Sequence, residues 1–150
     1  MLQIKDIMTT DVITVSPGTE IGRAAKLLLE KKINGAPVVD EQQRLVGILC
    51  QSDLIIQQKK FPVPSLFTLL DGVVALGSTK RLEAEIQKML AATVAEAMTP
   101  NPVTVTPETT MEEAVTLMVQ KSLHTLPVVS AGRLVGIVGK EDILKTLLPG

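Results

Sequence analysis

Two aspartates, Asp53 and Asp142, each follow a Leu-Val-Gly-Ile run by five positions. A carboxylate at the start of a helix can accept hydrogen bonds from two adjacent hydroxyl groups, and each such charge-assisted bond contributes about 1.5–3 kcal/mol. Residues for other chemistry are scarce, because the chain has one histidine, His124, and one cysteine, Cys50. These two cannot form a zinc set or an internal disulfide. Either aspartate could therefore accept from a ligand with adjacent hydroxyls, and helix N-capping is the alternative role.

The two aspartates lie in two copies of one segment. Identical residues recur at a shift of 90 positions through the first part of each copy, and one position is then lost in a turn. The recurring residues include Met8-Thr9 and Met98-Thr99, Pro17 and Pro107, Pro37-Val38-Val39 and Pro127-Val128-Val129, and Arg44-Leu45-Val46-Gly47-Ile48 and Arg133-Leu134-Val135-Gly136-Ile137. An ordered series of matches with a single deletion is typical of a duplicated unit.

Each copy is predicted to begin with a strand and a helix. The β-branched runs 12–15 and 103–105 are followed by a proline, as a strand is when it enters a turn. Thr19 and Thr109 then occupy the N-cap position of a helix, and Thr109 forms a capping box with Glu112. Apolar residues at helical spacing follow in both copies.

Two further strands and a second helix complete each copy. Residues 36–39 and 44–49 read as a hairpin, in which Gly47 and its counterpart Gly136 indicate a bulge or a close approach of backbone. A helix follows, with Ser52 or Asp53 as its N-cap. Each copy is therefore predicted to be β-α-β-β-α.

The predicted fold class is α/β (α+β), with two β-α-β-β-α copies packed through their sheets by pseudo-two-fold symmetry. One copy of about 47 residues is too small to bury a convincing core alone, so the copies are expected to cover each other's apolar faces. Such pairing leaves two equivalent crevices, which either hold a small ligand or are filled by side chains.

The copies define a first domain over residues 1–60, a connector over 61–92 and a second domain over 93–150. Within the connector, Leu82, Ile86, Met89 and Leu90 mark an amphipathic helix. This helix either packs against the two copies as an ordered connector or contacts a partner.

Composition excludes several classes of function. Fifteen Lys and Arg residues against 16 Asp and Glu give a net charge of −1, which argues against nucleic-acid binding. The absence of Trp and Tyr removes the aromatic platforms that stack single-stranded bases. No apolar run approaches the roughly 20 residues of a spanning helix, so no membrane insertion and a cytoplasmic location are expected. No nucleophile–base pair is visible, so the chain is not expected to be an enzyme.

The ordered motifs resemble the CBS domain, which is named after cystathionine β-synthase. In each copy Asp/Glu-x-Met-Thr is followed by Thr-Val-x-Pro, Pro-Val-Val and Leu-Val-Gly-Ile, with Asp five positions later. The resemblance covers residues 1–57 and 93–148, and two such domains in tandem resemble a Bateman module. It implies a regulatory module that binds AMP, ADP, ATP or S-adenosylmethionine between the copies and requires no cofactor.

The resemblance also implies roles for individual residues. Asp53 and Asp142 would accept hydrogen bonds from ribose hydroxyls, with Thr109 holding the ligand at the Asp53 site and Thr19 at the Asp142 site. The residues around the start of Pro-Val-Val would line the adenine and phosphate region: Asn34, Gly35, Ala36, His124, Thr125 and Leu126.

This chain departs from the family pattern next to each aspartate. Family members often carry Thr or Ser three residues before it, as a second ribose contact, but Cys50 and Gly139 stand there. Ser52 can compensate in the first copy, whereas Glu141 would repel a phosphate in the second. Lys140 is either a phosphate ligand or a solvated lysine. The Asp53 site is therefore slightly favoured.

The resemblance implies partners as well. A homodimer is expected, commonly as a flat disk of two modules, together with an effector that is a separate protein. The alternative is a structural interaction scaffold whose crevices no longer bind a nucleotide.

Overall fold

The computed structural model describes residues 1–60, 84, 88 and 90–148 of the chain. Most of the predicted connector, including Leu82, Ile86 and Met89 of its amphipathic helix, lies outside the described residues. No helix within the described part has both the length and the apolar character needed to cross a membrane.

The described elements are short helices and strands that repeat in the same order. The first copy contains α1 (Ile4–Ile7), α2 (Ile21–Lys31), β1 (Gly35–Val39), β2 (Leu45–Cys50) and α3 (Gln51–Lys60). The second copy contains α4 (Val94–Ala97), β3 (Thr99–Pro100), α5 (Met111–Lys121), β4 (Thr125–Ser130), β5 (Arg133–Gly139) and α6 (Lys140–Lys145). This mixed α/β architecture confirms the predicted fold class.

The predicted hairpins are confirmed, since β1 pairs antiparallel with β2 and β4 with β5. Their turns differ in length. In the first, the Asp40 carboxylate accepts from the backbone N–H groups of Gln42 and Arg44 at 2.9 and 3.0 Å. In the second, Ala131 and Gly132 both have positive φ, as a tight two-residue turn requires. This difference accounts for the position that is lost between the copies.

The predicted opening strand of each copy is reduced to a single bridge. Val15 donates to the carbonyl of Pro37 at 3.1 Å and accepts from the N–H of Val39 at 3.0 Å. The next parallel hydrogen bond would need an N–H at Pro17, which a proline lacks. Val105 stands in the same relation to β4 and is followed by Pro107, so the second strand ends equally early.

The first helix of each copy packs into the core of the other copy. Ile4 of α1 is fully buried in a cluster with Leu126 and Val138, whereas Val94 of α4 is fully buried with Leu28 and Leu49. Equivalent backbone bonds hold the two segments in place. The N–H of Ile4 donates to Thr109 O and the N–H of Val94 donates to Thr19 O, both at 2.8 Å. The initial segments are thus exchanged between the copies.

Contacts between the copies occur in symmetry-related pairs. Gln3 forms a β-bridge with Thr110, and Glu20 forms one with Thr93. Thr93 is the counterpart of Gln3, and Thr110 is the counterpart of Glu20, so the two bridges are equivalent contacts. Arg44 forms an antiparallel bridge with its own counterpart, Arg133. Pairing between equivalent residues is what a two-fold axis produces, and it places that axis between the two hairpins.

The glycines of the repeated Leu-Val-Gly-Ile run mark a close approach, as predicted. A Cβ added at Gly136 would lie 2.7 Å from Met8 Sδ, and one at Gly47 would lie 2.5 Å from Met98 Sδ. The ladder register also shifts opposite these glycines, between Val38 and Val39 and between the equivalent residues of β4. The missing side chain lets the exchanged segment lie directly on the strand.

Candidate functional site

A cavity of about 230 Å³ lies between the two copies and contains Asp142. The first copy contributes residues 9 and 11–13, which follow α1, and residues 32–35, which connect α2 to β1. The second copy contributes the start of β4, the end of β5 and much of α6. The cavity is therefore a joint product of both copies, as the pairing of two halves predicts for a small-ligand site.

Asp142 is half-buried at the base of α6 and bonds through both carboxylate oxygens. Its Oδ2 accepts from the N–H of Gly139 at 2.8 Å, and its Oδ1 accepts from the hydroxyl of Thr9 at 3.1 Å. Asp53 has matching partners, with Cys50 N–H at 2.8 Å and the Thr99 hydroxyl at 3.1 Å. Each carboxylate therefore links its own helix start to the exchanged segment of the other copy.

The two aspartates are not N-caps, so that alternative is wrong in its details. Each is the third residue of its helix and reaches back to the N–H of the residue before the helix, Cys50 or Gly139. Ser52 is likewise inside α3 rather than at its cap. An ionised carboxylate can accept about four hydrogen bonds, so each aspartate keeps acceptor capacity for a ligand.

Charged side chains of both signs surround Asp142. Lys32, Lys140 and Lys145 line the cavity together with Asp11 and Glu141. With Asp142 itself, three acids and three lysines line the cavity, so their formal charges balance. The cavity therefore offers both a carboxylate that can accept from hydroxyls and lysines that can contact an anion.

Local backbone geometry brings these residues to the cavity. Helix α2 ends at Lys32 in the left-handed conformation, with φ of 54°, and its N–H bonds to the carbonyls of Leu28 and Leu29. This ending turns the chain sharply into β1. In the second copy, Lys140 N–H donates to the carbonyl of His124 at 3.0 Å and ties the start of α6 to the start of β4.

The structure brings together one part of the predicted set and separates another. Six predicted residues line the Asp142 cavity: Asn34, Gly35, His124, Thr125, Lys140 and Asp142. Ser52, Cys50 and Asp53 lie together at the start of α3 and do not line it.

Ala36 and Leu126 are predicted ligand contacts that do not line the Asp142 cavity. Both are fully buried, and they belong to the two separate hydrophobic cores. Their positions in β1 and β4 direct these side chains to the core, because successive strand residues face opposite sides of a sheet. Neither lines the cavity.

Thr19 and Thr109 are also corrected. The helices begin one residue later than predicted, at N-caps Glu20 and Thr110, and it is Thr110 that accepts from Glu113 N–H at 3.1 Å. Thr19 bonds instead to the Ser16 hydroxyl, and Thr109 to Thr106.

Thr19, which was predicted to contact a ligand at the Asp142 site, does not line the Asp142 cavity. Thr109 borders a separate open depression along α5, beside Glu112 and Glu113, which contains neither aspartate. The threonine from the opposite copy that reaches Asp142 is Thr9.

Cys50 has the environment of an unreactive thiol. Burial, and then the negative charge of Asp53, raise its pKa from 9.0 to about 11. Its sulfur lies 3.2 Å from the position that a Cβ on Gly35 would take. Among the described residues, no group of three or more His, Cys, Asp or Glu side chains is placed to hold a metal ion.

Sequence reasoning missed Thr9 and Thr99 as site residues. Both belong to the Met-Thr pair that recurs in the two copies, so the repeat signal contained them. Each of these threonines contacts the aspartate of the other copy. The repeat pattern alone does not show that the first segment of one copy packs against the other copy, so the contact could not be predicted.

A family model for the CBS domain matches residues 4–59 and 94–149. The chain is 33% identical over 156 residues to the CBS domain-containing protein CBSX2, chloroplastic, from Arabidopsis thaliana, an alignment that covers 97% of this chain and 63% of that protein. The chain spans about three fifths of the length of CBSX2 and of CBSX1 from the same plant.

Solved structures with bound ligands match the fold. The crystal structure of CBSX2 in complex with AMP has a TM-score of 0.74 and 29% sequence identity, and the match covers 98% of this chain and 96% of that one. The CBS domain pair of protein MJ0100 in complex with 5′-methylthioadenosine and S-adenosyl-L-methionine has a TM-score of 0.71 and 28% identity, with coverage of 98% and 96%.

Proposed function

The chain belongs to the CBS domain family, and from that membership we propose that it is a non-enzymatic regulatory module that binds an adenosyl nucleotide in the Asp142 cavity. The observation that carries the proposal is the half-buried Asp142 carboxylate in a cavity built by both copies. Two proteins of similar fold, CBSX2 and MJ0100, have been crystallised with adenosyl compounds.

The side chains of the cavity suit the parts of such a ligand. The Asp142 carboxylate suits the ribose hydroxyls, since it can accept two charge-assisted hydrogen bonds. Val12, Ile13, Ile33 and Ile137 supply apolar walls for an adenine ring. The three lysines of the cavity suit a phosphate group.

The size of the cavity favours a small ligand of this class. Its volume of about 230 Å³ lies below the range of roughly 300–1,000 Å³ for drug-sized ligands. A nucleoside or its monophosphate therefore suits the cavity better than a dinucleotide. Additional phosphates of ADP or ATP would extend towards the solvent, beside Lys32 or Lys145.

The sequence slightly favoured the Asp53 site, but we propose that it is the second and weaker of the two. Its carboxylate has the same two partners as Asp142, and Asn34 and His124 occupy equivalent positions in the two copies. The half-buried Cys50 side chain stands where the second copy has Gly139, which has no side chain, and we therefore expect less room beside the Asp53 carboxylate.

A structural scaffold is the second candidate function. It is favoured by the bonds that each aspartate already accepts, one from a backbone N–H of its own copy and one from a threonine hydroxyl of the other copy. These bonds give each carboxylate a role in holding the copies together without any ligand.

Thermal unfolding in the presence of ligand separates the two candidates. A ligand at 100 times its dissociation constant stabilises the folded state by about 2.7 kcal/mol, which raises the melting temperature of a domain of this size by roughly 5–11 °C. We expect this increase with at least one of AMP, ADP, ATP and S-adenosylmethionine. No increase with any of them would refute the module and leave the scaffold.

Matched substitutions then assign the site. Asp142→Asn keeps the size of the side chain but removes its charge, and we expect roughly ten- to hundredfold weaker binding. Asp53→Asn makes the same change at the equivalent residue and should have the smaller effect. Unchanged affinity in both variants would exclude the proposed ribose role.

We further propose that the module acts as a homodimer on a separate effector protein in the cytoplasm. Exposed apolar residues support the dimer because they recur at equivalent positions. Leu29 and Val119 are 71% and 74% exposed, and Ile55 and Leu144 are 65% and 56% exposed. A second copy of the chain would cover the same surface on both halves.

A further inference from the structure

We infer that Thr9 is a specificity-determining residue of the Asp142 cavity and supplies the second contact to the ribose. The inference rests on the proposed function and extends it to a residue outside the predicted site. Thr9 is exposed, lines the cavity and donates its hydroxyl proton to Asp142 Oδ1 at 3.1 Å. The threonine and the aspartate come from different copies.

The Thr9–Asp142 pair has the hydrogen-bonding pattern that a cis-diol requires. A hydroxyl that donates its proton still has acceptor lone pairs, and the carboxylate has further acceptor positions. One ribose hydroxyl can therefore donate to Asp142 while its neighbour donates to Thr9 Oγ1. The two acceptor oxygens are adjacent, as the two hydroxyls of a ribose are.

Thr9 is held in place before any ligand binds. Its N–H donates to Ile137 O at 2.8 Å, and its carbonyl accepts from Ile137 N–H at 2.9 Å. The preceding residue, Met8, packs over Gly136, where a Cβ would come within 2.7 Å of its sulfur. A contact group that is fixed in advance loses little conformational entropy when the ligand arrives.

The position of Thr9 also explains how the site can lack a hydroxyl at Gly139. The residue three positions before Asp142 is a glycine, which has no side-chain hydroxyl. The same relation recurs in the first copy, where Thr99 bonds to Asp53 and Cys50 stands three residues before it. In both sites the exchanged segment supplies a hydroxyl that the local strand does not.

Ligands that lack one hydroxyl test this contact directly. Binding of AMP, 2′-deoxy-AMP and 3′-deoxy-AMP is measured by titration calorimetry for the wild type and for Thr9→Val. We expect about three- to tenfold weaker AMP binding by Thr9→Val, as the loss of one hydrogen bond predicts. For the analogue that lacks the hydroxyl read by Thr9, wild type and variant should bind equally.

Two further variants complete the design. Thr10→Val makes the same change one residue later, outside the cavity, and should bind AMP as the wild type does. In the Thr9→Val background, Gly139→Ser should restore part of the affinity. A Cβ at Gly139 meets nothing closer than His124 O at 3.5 Å, and the φ of −117° is ordinary for any residue.

The outcomes distinguish this inference from the proposed function. If Thr9→Val binds AMP as tightly as the wild type does, the inference about Thr9 is overturned and the proposed function stands. An equal loss for AMP and for both deoxy analogues also overturns it, because the effect would then not pass through a ribose hydroxyl. If no adenosyl compound binds the wild type, the proposed function fails and the inference fails with it.

Discussion

The hydroxyl of Thr9 donates to the carboxylate of Asp142 at 3.1 Å, although the two residues stand 133 positions apart and belong to different copies of the repeat. The equivalent pair, Thr99 and Asp53, has the same distance of 3.1 Å. Each pair lies where an exchanged segment meets the start of the last helix of the other copy. The aspartates that we propose as ligand contacts thus also join the two halves.

Exchange of the initial segments predicts energetic coupling across the repeat. Ile4 is fully buried among core residues of the second copy, so we expect Ile4→Ala to cost about 2–4 kcal/mol of unfolding free energy. In double-mutant cycles, Ile4→Ala should couple with Leu126→Ala by about 0.5–3 kcal/mol. Its effect should add to that of Leu49→Ala, because Leu49 belongs to the other core.

Urea unfolding followed by circular dichroism measures these energies, since the chain lacks Trp and Tyr for fluorescence. The matched control is Leu2→Ala, because Leu2 is 43% exposed and should change the stability little. Coupling of Ile4 to Leu49 without coupling to Leu126 would contradict the exchange.

Close contact between Met8 and Gly136 predicts that even one added methyl group destabilises the fold. A Cβ at Gly136 would lie 2.7 Å from Met8 Sδ and 3.1 Å from Thr9 O, so Gly136→Ala must displace the exchanged segment. We expect a loss of about 1–3 kcal/mol in urea unfolding. Gly18→Ala is the matched control, because nothing lies within 4 Å of a Cβ there.

A second substitution separates crowding by the Met8 side chain from crowding by the Thr9 backbone. Met8→Ala removes the sulfur that a Cβ at position 136 would meet. If crowding by Met8 causes the loss, Gly136→Ala should cost less in the Met8→Ala background than in the wild type. An equal cost in both backgrounds would attribute the loss to the contact with the Thr9 backbone.

The pKa of Cys50, raised to about 11 by burial and by the charge of Asp53, predicts slow thiol chemistry. At pH 8 about one thiol in a thousand is then ionised, against about one in ten at the ordinary value. Alkylation by iodoacetamide should therefore be roughly 100-fold slower in the folded protein than in urea. Equal rates would show that the thiol is neither buried nor influenced by Asp53.

The raised pKa of Cys50 also predicts how the free energy of unfolding changes with pH. Because the folded state prefers the protonated thiol, the contribution of Cys50 is complete below about pH 9 and is lost as pH rises through about 11. The urea midpoint of the wild type should fall over this window by more than that of Cys50→Ser. Parallel curves for the two proteins would contradict the raised value.

Local signals in the sequence predicted the repeated elements, because each depends on neighbouring residues. The hairpins follow from Pro-Val-Val and Leu-Val-Gly-Ile. The caps at Thr19 and Thr109 were wrong because serine and threonine can also bond within a turn, as these residues do to Ser16 and Thr106. The shortening of the opening strands depends on the missing N–H of Pro17 and Pro107 in a ladder whose register the sequence does not give.

The cavity could be predicted only in part, because its walls come from both copies. Asp142, His124 and Lys140 are local to one repeat and were found. Thr9 and Lys32 were not, since nothing in their own neighbourhood shows that the chain brings them to α6. Residues that depend on how two halves meet are set by tertiary packing, which a single sequence does not display.

Apolar residues that are exposed at equivalent positions of the two copies predict the oligomeric state of the protein in solution. Leu29 and Val119 are more than 70% exposed at equivalent positions of α2 and α5. We expect the wild type to sediment as a dimer of twice 16.1 kDa. Charges placed at both positions would have to be desolvated in an interface, so Leu29→Glu with Val119→Glu should give the monomer.

The fold of each variant is checked by circular dichroism, so that a loss of dimer is not mistaken for unfolding. Gln120→Glu adds one negative charge at an exposed position of α5 that points about 100° round the helix axis from Val119, so this variant should remain dimeric. A wild type that sediments at 16.1 kDa at high micromolar concentration would refute the dimer. A double variant that stays dimeric would move the interface to surfaces other than these two helices.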